Sequence, residues 1–74
     1  MKTQAVRWGI IGTGRIARAF AEGLWHTSNG RLCAIASRNE GSAKAFAEEW
    51  DINHAFGQYE ELAHSDAVDA VYIA

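Results

Sequence analysis

Residues 6–17, VRWGIIGTGRIA, join a short apolar run to a glycine-rich turn and the start of a helix. The run from Val6 to Ile11 is apolar on both faces, which is typical of a strand covered by helices on both sides. Gly12 ends the run, and apolar side chains recur at helical spacing a few residues later. We therefore expect a strand, a tight turn and a helix in direct succession.

The turn has the pattern G-x-G-x-x-A, which is a weak signal by itself and gains weight from its place between a strand and a helix. Gly12 would permit the tight turn, Gly14 would let the backbone approach a pyrophosphate, and Ala17 is small enough for close helix packing. The free N–H groups of the first helical turn would hold the phosphates. The alternative is a structural glycine turn without a ligand. The pattern predicts a dinucleotide site that includes Gly12, Thr13, Gly14, Arg15 and Ile16.

The spacing of apolar residues further along the chain predicts three more strands and, after the first helix, two more helices. A helix is expected from Arg15 to about His26, then a strand over Leu32–Ser37, a helix capped by Asn39 and ending near Trp50, a short strand at Ala55-Phe56, a helix over Tyr59–His64 and a strand over Ala70–Ala74. Strands that alternate with helices at this spacing indicate an α/β fold with a parallel sheet. Right-handed crossovers give a partial doubly wound Rossmann fold, with strand order 3-2-1-4 and three helices.

Several side chains are expected to pack or pair locally. Arg18 and Glu22 are spaced as an ion pair on an exposed helix face, and Cys33 is expected to be a small core residue. Neither metal binding nor a reactive thiol is expected. Ile16, Phe20 and Leu24 are expected to form an apolar stripe on the first helix. Trp8, Trp25 and Trp50 are expected to be packing residues.

Ser37 and Arg38 follow the second predicted strand, at the point where an NAD-binding chain usually offers a carboxylate to the ribose. A guanidinium cannot accept a hydrogen bond but pairs well with a 2′-phosphate, and the Ser37 hydroxyl can donate a second bond. This favours NADP over NAD. Three alternatives remain: Glu40 reaches a ribose hydroxyl, Arg38 stacks on adenine, or Arg38 is a surface side chain without a ligand. Either of the first two would permit NAD.

Composition excludes several classes of protein. The chain has 74 residues, a net charge of −2 and one cysteine. The charge disfavours a dedicated nucleic-acid binder, and no apolar run approaches the ~18 residues of a membrane span. A single cysteine forms no internal disulfide, so we expect a reducing, cytoplasmic setting.

The charges are also divided unevenly along the chain. Residues 1–38 hold six Lys and Arg side chains and one acid, Glu22, whereas residues 39–74 hold Lys44 and eight acids. A phosphate ligand at the glycine turn would favour this arrangement, although solvated helix faces could produce it by chance.

Five segments resemble the glucose–fructose oxidoreductase / inositol dehydrogenase (Gfo/Idh/MocA) family, in order and at the right spacing. They are RWGIIGTGRIA (7–17), ASRN (36–39), AFA (45–47), YEEL (59–62) and VDAVYIA (68–74). The resemblance covers essentially the whole chain. It implies a dinucleotide-binding domain over residues 1–74 and NAD(P)-dependent oxidation or reduction of sugars, cyclic polyols and related compounds.

The same resemblance implies that parts of a complete enzyme lie outside these residues. Family members carry a Glu-Lys-Pro motif one strand later, with a catalytic lysine, and a separate C-terminal domain for the substrate. Neither Lys2 nor Lys44 matches that lysine, so we expect the chain alone to be inactive. The competing interpretations are a non-catalytic nucleotide-binding or self-associating module, and a domain without a ligand. The strand over Ala70–Ala74 is uncharged, and one face of the first and fourth predicted strands has no helix to cover it. A homo-oligomer formed through that edge or that face is therefore also predicted.

Overall fold

The computed structural model describes residues 6–74, in which strands and helices alternate. They are β1 (Val6–Ile11), α1 (Arg15–Trp25), β2 (Gly30–Ala36), α2 (Glu40–Trp50), β3 (His54–Phe56), α3 (Tyr59–Ala63) and β4 (Ala70–Ile73). All pairings are parallel, and the strands lie in the order β3-β2-β1-β4. The predicted fold class, strand order and number of helices are confirmed.

Local chemistry sets the ends of α2. The side chain of Asn39 caps the helix, because its Oδ1 accepts from the Ser42 N–H at 3.0 Å. At the other end Asp51 adopts a left-handed conformation, with a φ of 57°. The helix therefore ends at Trp50. The N–H of Ile52, which follows Asp51, donates to the Ala47 carbonyl at 2.8 Å.

The second strand begins two residues earlier than predicted and ends one residue earlier. Asn29-Gly30 reads as a turn in the sequence, yet Gly30 is the buried first residue of β2. A Cβ at Gly30 would lie 2.8 Å from Leu24 Cδ2 and 3.2 Å from the Trp8 ring. Glycine is present because α1 and β1 approach closely at this point. The predicted ends of α1, α3 and β4 are each one residue too long, and β3 begins one residue earlier, at His54.

The core has one layer on each side of the sheet. On one side, α1 and α2 cover Ile10 and Ile35, which are fully buried with Ala17, Ala43 and Phe46 in a single cluster. On the other side, α3 places the fully buried Leu62 against Ala34 and Ala36. Cys33 is buried, as predicted.

Three predictions about side chains are wrong. Ile16 is 60% exposed, because it stands in the first turn of α1. Trp25 is 66% exposed although its ring meets that of Trp50 edge-on. Arg18 pairs with Glu49 of α2 at 2.5 Å and not with Glu22, so a tertiary contact replaces the local pair.

The α3 side of the sheet is covered unevenly. Leu62 and Val68 lie directly over Gly9 of β1. On β4, however, Val71 is 37% and Ile73 is 76% exposed. The uncovered face predicted for β1 and β4 is thus confined to β4. No helix among residues 6–74 is long and apolar enough to cross a membrane.

Candidate functional site

The carboxyl ends of the four strands meet along one edge of the sheet. Ile11 is in register with both Ala36 and Ile73, and Ala36 is in register with Phe56. Backbone bonds continue past the strand ends: the Gly12 N–H donates to the Ala36 carbonyl at 2.9 Å, and the Ser37 N–H donates to the Phe56 carbonyl at 3.1 Å. The residues that follow β1, β2 and β3 are therefore neighbours. Ligands bind at this edge in open α/β sheets.

Gly12 makes the turn out of β1 in a conformation that other residues rarely adopt. Its φ is +115°, and a Cβ there would also approach the Ala74 carbonyl oxygen at 3.4 Å. Any side chain would be strained at this position. The predicted structural role of Gly12 in a tight turn is confirmed. Thr13 follows it, half-buried in the turn.

Gly14 is the N-cap of α1, and the space beside it is open. Its backbone is extended, and a Cβ would meet no heavy atom within 4 Å. Gly14 has no side chain to cap the helix, whereas α2 has Asn39. The N–H groups of the first turn, in Arg15 and Ile16, thus face a space that a ligand can enter. Both of these residues have exposed side chains, and Ala17 behind them is fully buried against the sheet.

Ser37 and Arg38 lie beside this turn but differ in burial. Ser37 is 8% exposed, and its Oγ accepts from the Asn39 N–H at 3.2 Å. The hydroxyl proton is left to donate to another group. Arg38 is exposed. The ion pairs among residues 6–74 join Arg7 to Asp69 and Arg18 to Glu49, so within this part of the chain no carboxylate neutralises Arg38.

The guanidinium of Arg38 lies over the ring of Tyr59, with its carbon 5.9 Å from the ring centroid. The polar contact with the Tyr59 side chain raises the pKa of Arg38, which is therefore charged at any ordinary pH. The two residues line an open groove of about 590 Å³ together with Gly57, Gln58 and Glu60. Two other depressions, beside Trp25 and Trp50, lie at the opposite end of the helices.

Tyr59 was not among the site residues predicted from the sequence. It is 21 positions away from Arg38, and only the alignment of the β2 and β3 ends brings them together. The available signal was an aromatic residue two positions after Gly57, at the carboxyl end of a predicted strand.

The edge has the chemical features that a dinucleotide site requires. The space beside Gly14 would be filled by any larger side chain, and the helix N-terminus there has unsatisfied donors for phosphate. Arg38, which no carboxylate among residues 6–74 neutralises, stands at the end of the neighbouring strand. These features define a Rossmann-type dinucleotide-binding domain.

Comparison with known proteins gives the family. The model of the oxidoreductase family with an NAD-binding Rossmann fold, GFO_IDH_MocA, matches residues 6–74. The chain belongs to this family, as the resemblance of its motifs predicted. Members of the family bind nicotinamide dinucleotides and act as oxidoreductases.

Two similar relatives are an uncharacterized oxidoreductase, YgjR, from Escherichia coli K12 and the human trans-1,2-dihydrobenzene-1,2-diol dehydrogenase. The chain is 41% identical to the first over 69 residues and 41% identical to the second over 71 residues. Each match covers 93% of this chain and 21% of the relative. The chain thus spans about a fifth of the length of these relatives.

A similar solved structure is that of KijD10, a 3-ketoreductase from Actinomadura kijaniata in complex with TDP-benzene and NADP. In its open conformation it superposes with a TM-score of 0.86 and 36% sequence identity, covering 93% of this chain and 22% of that protein.

Proposed function

We propose that residues 1–74 are the dinucleotide-binding domain of an NAD(P)-dependent oxidoreductase that acts on sugars, cyclic polyols or related hydroxyl and carbonyl compounds, and that NADP is the preferred cofactor. One observation carries the proposal. The N-terminus of α1 has no side-chain cap, and Arg38 has no carboxylate partner among residues 6–74; the two lie at the same edge of the sheet, at the ends of adjacent strands. Relatives named as a diol dehydrogenase and a ketoreductase in complex with NADP support the substrate class and the cofactor.

The two ends of the adenosine diphosphate part would be held differently. Gly12, Thr13 and Gly14 would follow the pyrophosphate closely, and the N–H groups of Arg15 and Ile16 would donate to its oxygens. Ser37 and Arg38 would bind the 2′-phosphate, with the hydroxyl donating one bond and the guanidinium donating a charge-assisted pair. Glu40 at the start of α2 would stay in solvent.

Chemistry on a substrate would require more than this edge provides. A nicotinamide cofactor supplies hydride transfer when it is bound. The substrate hydroxyl also needs a group that moves its proton. Lys44, on the outer face of α2, is exposed and far along the chain from the glycine turn. We therefore expect the 74 residues alone to bind cofactor without turnover.

Gly14→Val tests the pyrophosphate site. The backbone at Gly14 is compatible with a side chain and nothing lies within 4 Å of the added Cβ, so the variant should fold. The valine would occupy the space of the pyrophosphate, and we expect calorimetric titration with NADPH to show at least a ten-fold loss of affinity. Gly23→Val is the matched control, because Gly23 is equally open and lies at the far end of α1. Unchanged affinity in a folded Gly14→Val variant would refute the site.

Arg38→Ala tests the cofactor preference. A hydrogen bond to a charged group contributes roughly 1.5–3 kcal/mol, which is about 10- to 150-fold in affinity. We expect the substitution to weaken NADPH by that factor and NADH much less. Added salt should also weaken NADPH more than NADH, because the contact is exposed. An equal loss for both cofactors would mean that Arg38 stacks on adenine and does not bind the 2′-phosphate.

A further inference from the structure

Tyr59 has no part in the binding scheme above, yet its ring is fixed beside the residue that would select the cofactor. It begins α3 and packs against the cluster of Ala34, Ala36 and Leu62. Leu62, one turn further along α3, is fully buried and anchors the helix to the sheet. The ring is therefore held by the core on one side and faces the Arg38 guanidinium on the other.

The contact with Tyr59 leaves N–H donors of the guanidinium available. It combines the ring, whose centroid lies 5.9 Å from the guanidinium carbon, with a polar contact to the side chain, and a single phenol oxygen cannot engage all five N–H donors of arginine. An arginine held in this way can still donate two parallel bonds to a phosphate. A carboxylate partner would instead occupy those donors.

A carboxylate that could compete for Arg38 is close by, because Glu60 lines the same groove. An arginine side chain with unrestricted rotamers could pair with that carboxylate and lose its capacity to bind phosphate. Among residues 6–74 the guanidinium lies over Tyr59 and makes no ion pair.

We propose that Tyr59 is a positioning residue for cofactor selection: its side chain holds the Arg38 guanidinium and keeps it from pairing with Glu60, so that the remaining N–H donors are available to the adenosine 2′-phosphate. The proposal rests on the proposed function, since it assumes that Arg38 binds this phosphate. It assigns the preference for NADP to a pair of residues from β2 and α3.

The test compares the NADPH and NADH affinities of the parent chain and of five variants, each shown to be folded by circular dichroism. An exposed cation–π contact is worth about 2- to 5-fold in affinity. Tyr59→Leu should lower the ratio of NADPH to NADH affinity by that factor, and Tyr59→Phe, which keeps the ring but removes the hydroxyl of the polar contact, should lower it less. Phe56→Leu is the control for lost packing, because Phe56 belongs to the same cluster and should leave the ratio unchanged. In an Arg38→Ala background, Tyr59→Leu should have no further effect on the ratio.

The outcomes distinguish failure of the role of Tyr59 from failure of the proposed cofactor binding. If the chain binds neither cofactor, or if Arg38→Ala leaves the ratio unchanged, the proposed function fails and the role of Tyr59 fails with it. If Arg38→Ala lowers the ratio but Tyr59→Leu does not, the role of Tyr59 alone is overturned. The same holds if Tyr59→Leu weakens both cofactors equally, or if it still lowers the ratio without Arg38.

Discussion

At Gly9, in the middle of β1, a side chain has almost no room. A Cβ would lie 3.0 Å from Leu62 Cδ1 and 3.1 Å from Val68 Cγ1, so these side chains would have to move by a few tenths of an ångström, and Leu62 is fully buried. The glycine lets α3 approach the sheet. Its place in the sequence gave no sign of this, because the residues it meets lie more than fifty positions away.

We expect Gly9→Ala to destabilise the chain by about 1–2 kcal/mol, the usual range for modest overpacking of a core. Urea unfolding followed by circular dichroism would measure it. Gly23→Ala is the matched control: Gly23 lies in α1 with open space around it, and there alanine should stabilise by about 0.5–1 kcal/mol. A Gly9→Ala variant as stable as the parent chain would show that Leu62 and Val68 can shift aside.

Single residues also show where prediction from sequence fails. The spacing of Arg18 and Glu22 suggested an ion pair, but Glu49 of α2 takes that place because α1 and α2 lie side by side on the sheet. Tyr59 reaches Arg38 for a similar reason. Both contacts depend on which elements become neighbours, and periodicity within one helix carries no information about that.

At the scale of elements, long segments with strong periodicity were predicted well. The prediction placed β1, α1 and α2 within a residue of their observed bounds, because an apolar run defines β1, apolar stripes define the two helices and Asn39 caps α2. β2 was less accurate, since Gly30 serves close packing there and not a turn. The three-residue β3 is held mainly by pairing with β2, so its own sequence is a weak signal.

The start of β1 is tied to the loop before β4 by one exposed cluster. The Arg7 guanidinium donates to both oxygens of Asp69, at 2.8 Å and 3.2 Å, and to the Asp66 carbonyl at 3.1 Å. The backbone N–H of Arg7 donates to the same carboxylate at 2.9 Å. These bonds lower the pKa of Asp69 from 3.8 to about 2.

The Arg7–Asp69 hydrogen bonds should make the stability of the folded chain depend on pH in the acid range. Because the folded state lowers the pKa of Asp69, its contribution is present above pH 4 and is lost as the pH falls from about 4 to 2. We expect the melting temperature of the parent chain to fall over this range. The melting temperature of Asp69→Asn should fall less steeply, so that the two values converge near pH 2. Glu48→Gln, an exposed carboxylate without an ion pair among residues 6–74, should follow the parent chain. If the melting temperatures of the parent chain and Asp69→Asn fell in parallel as the pH is lowered, the Arg7–Asp69 hydrogen bonds would not explain the pH dependence.

At the scale of the whole molecule, the two faces of the sheet are unequal. α1 and α2 cover one face, whereas α3 alone covers part of the other. Strand order and alternation predicted this asymmetry, because the crossovers after β1 and β2 fall on one side. They could not show that Leu62 and Val68 reach β1, which restricts the open surface to β4.

That open surface leads to a prediction about association. β4 pairs with β1 on one side, and among residues 6–74 no strand pairs with its other edge. Val71 and Ile73 project from the same strand, on its exposed face. An uncharged edge next to exposed apolar side chains favours pairing with another chain, so we expect a homodimer or higher oligomer in solution, with two-fold symmetry.

Ile73→Lys tests this surface more cleanly than a substitution of Tyr72, whose ring stacks on Phe20 at 4.2 Å beneath α1 and contributes to folding. Ile73 is 76% exposed, so lysine there should leave the fold intact and place a charge on the edge strand. Light scattering at micromolar concentration should find an oligomer for the parent chain and a shift toward monomer for Ile73→Lys. Trp25→Lys removes another exposed apolar side chain, at the opposite end of the molecule, and should leave the oligomer unchanged, because it does not alter the β4 edge. A monomeric parent chain would refute the association, and an oligomer that dissociates with Trp25→Lys and not with Ile73→Lys would place the interface elsewhere on the molecule.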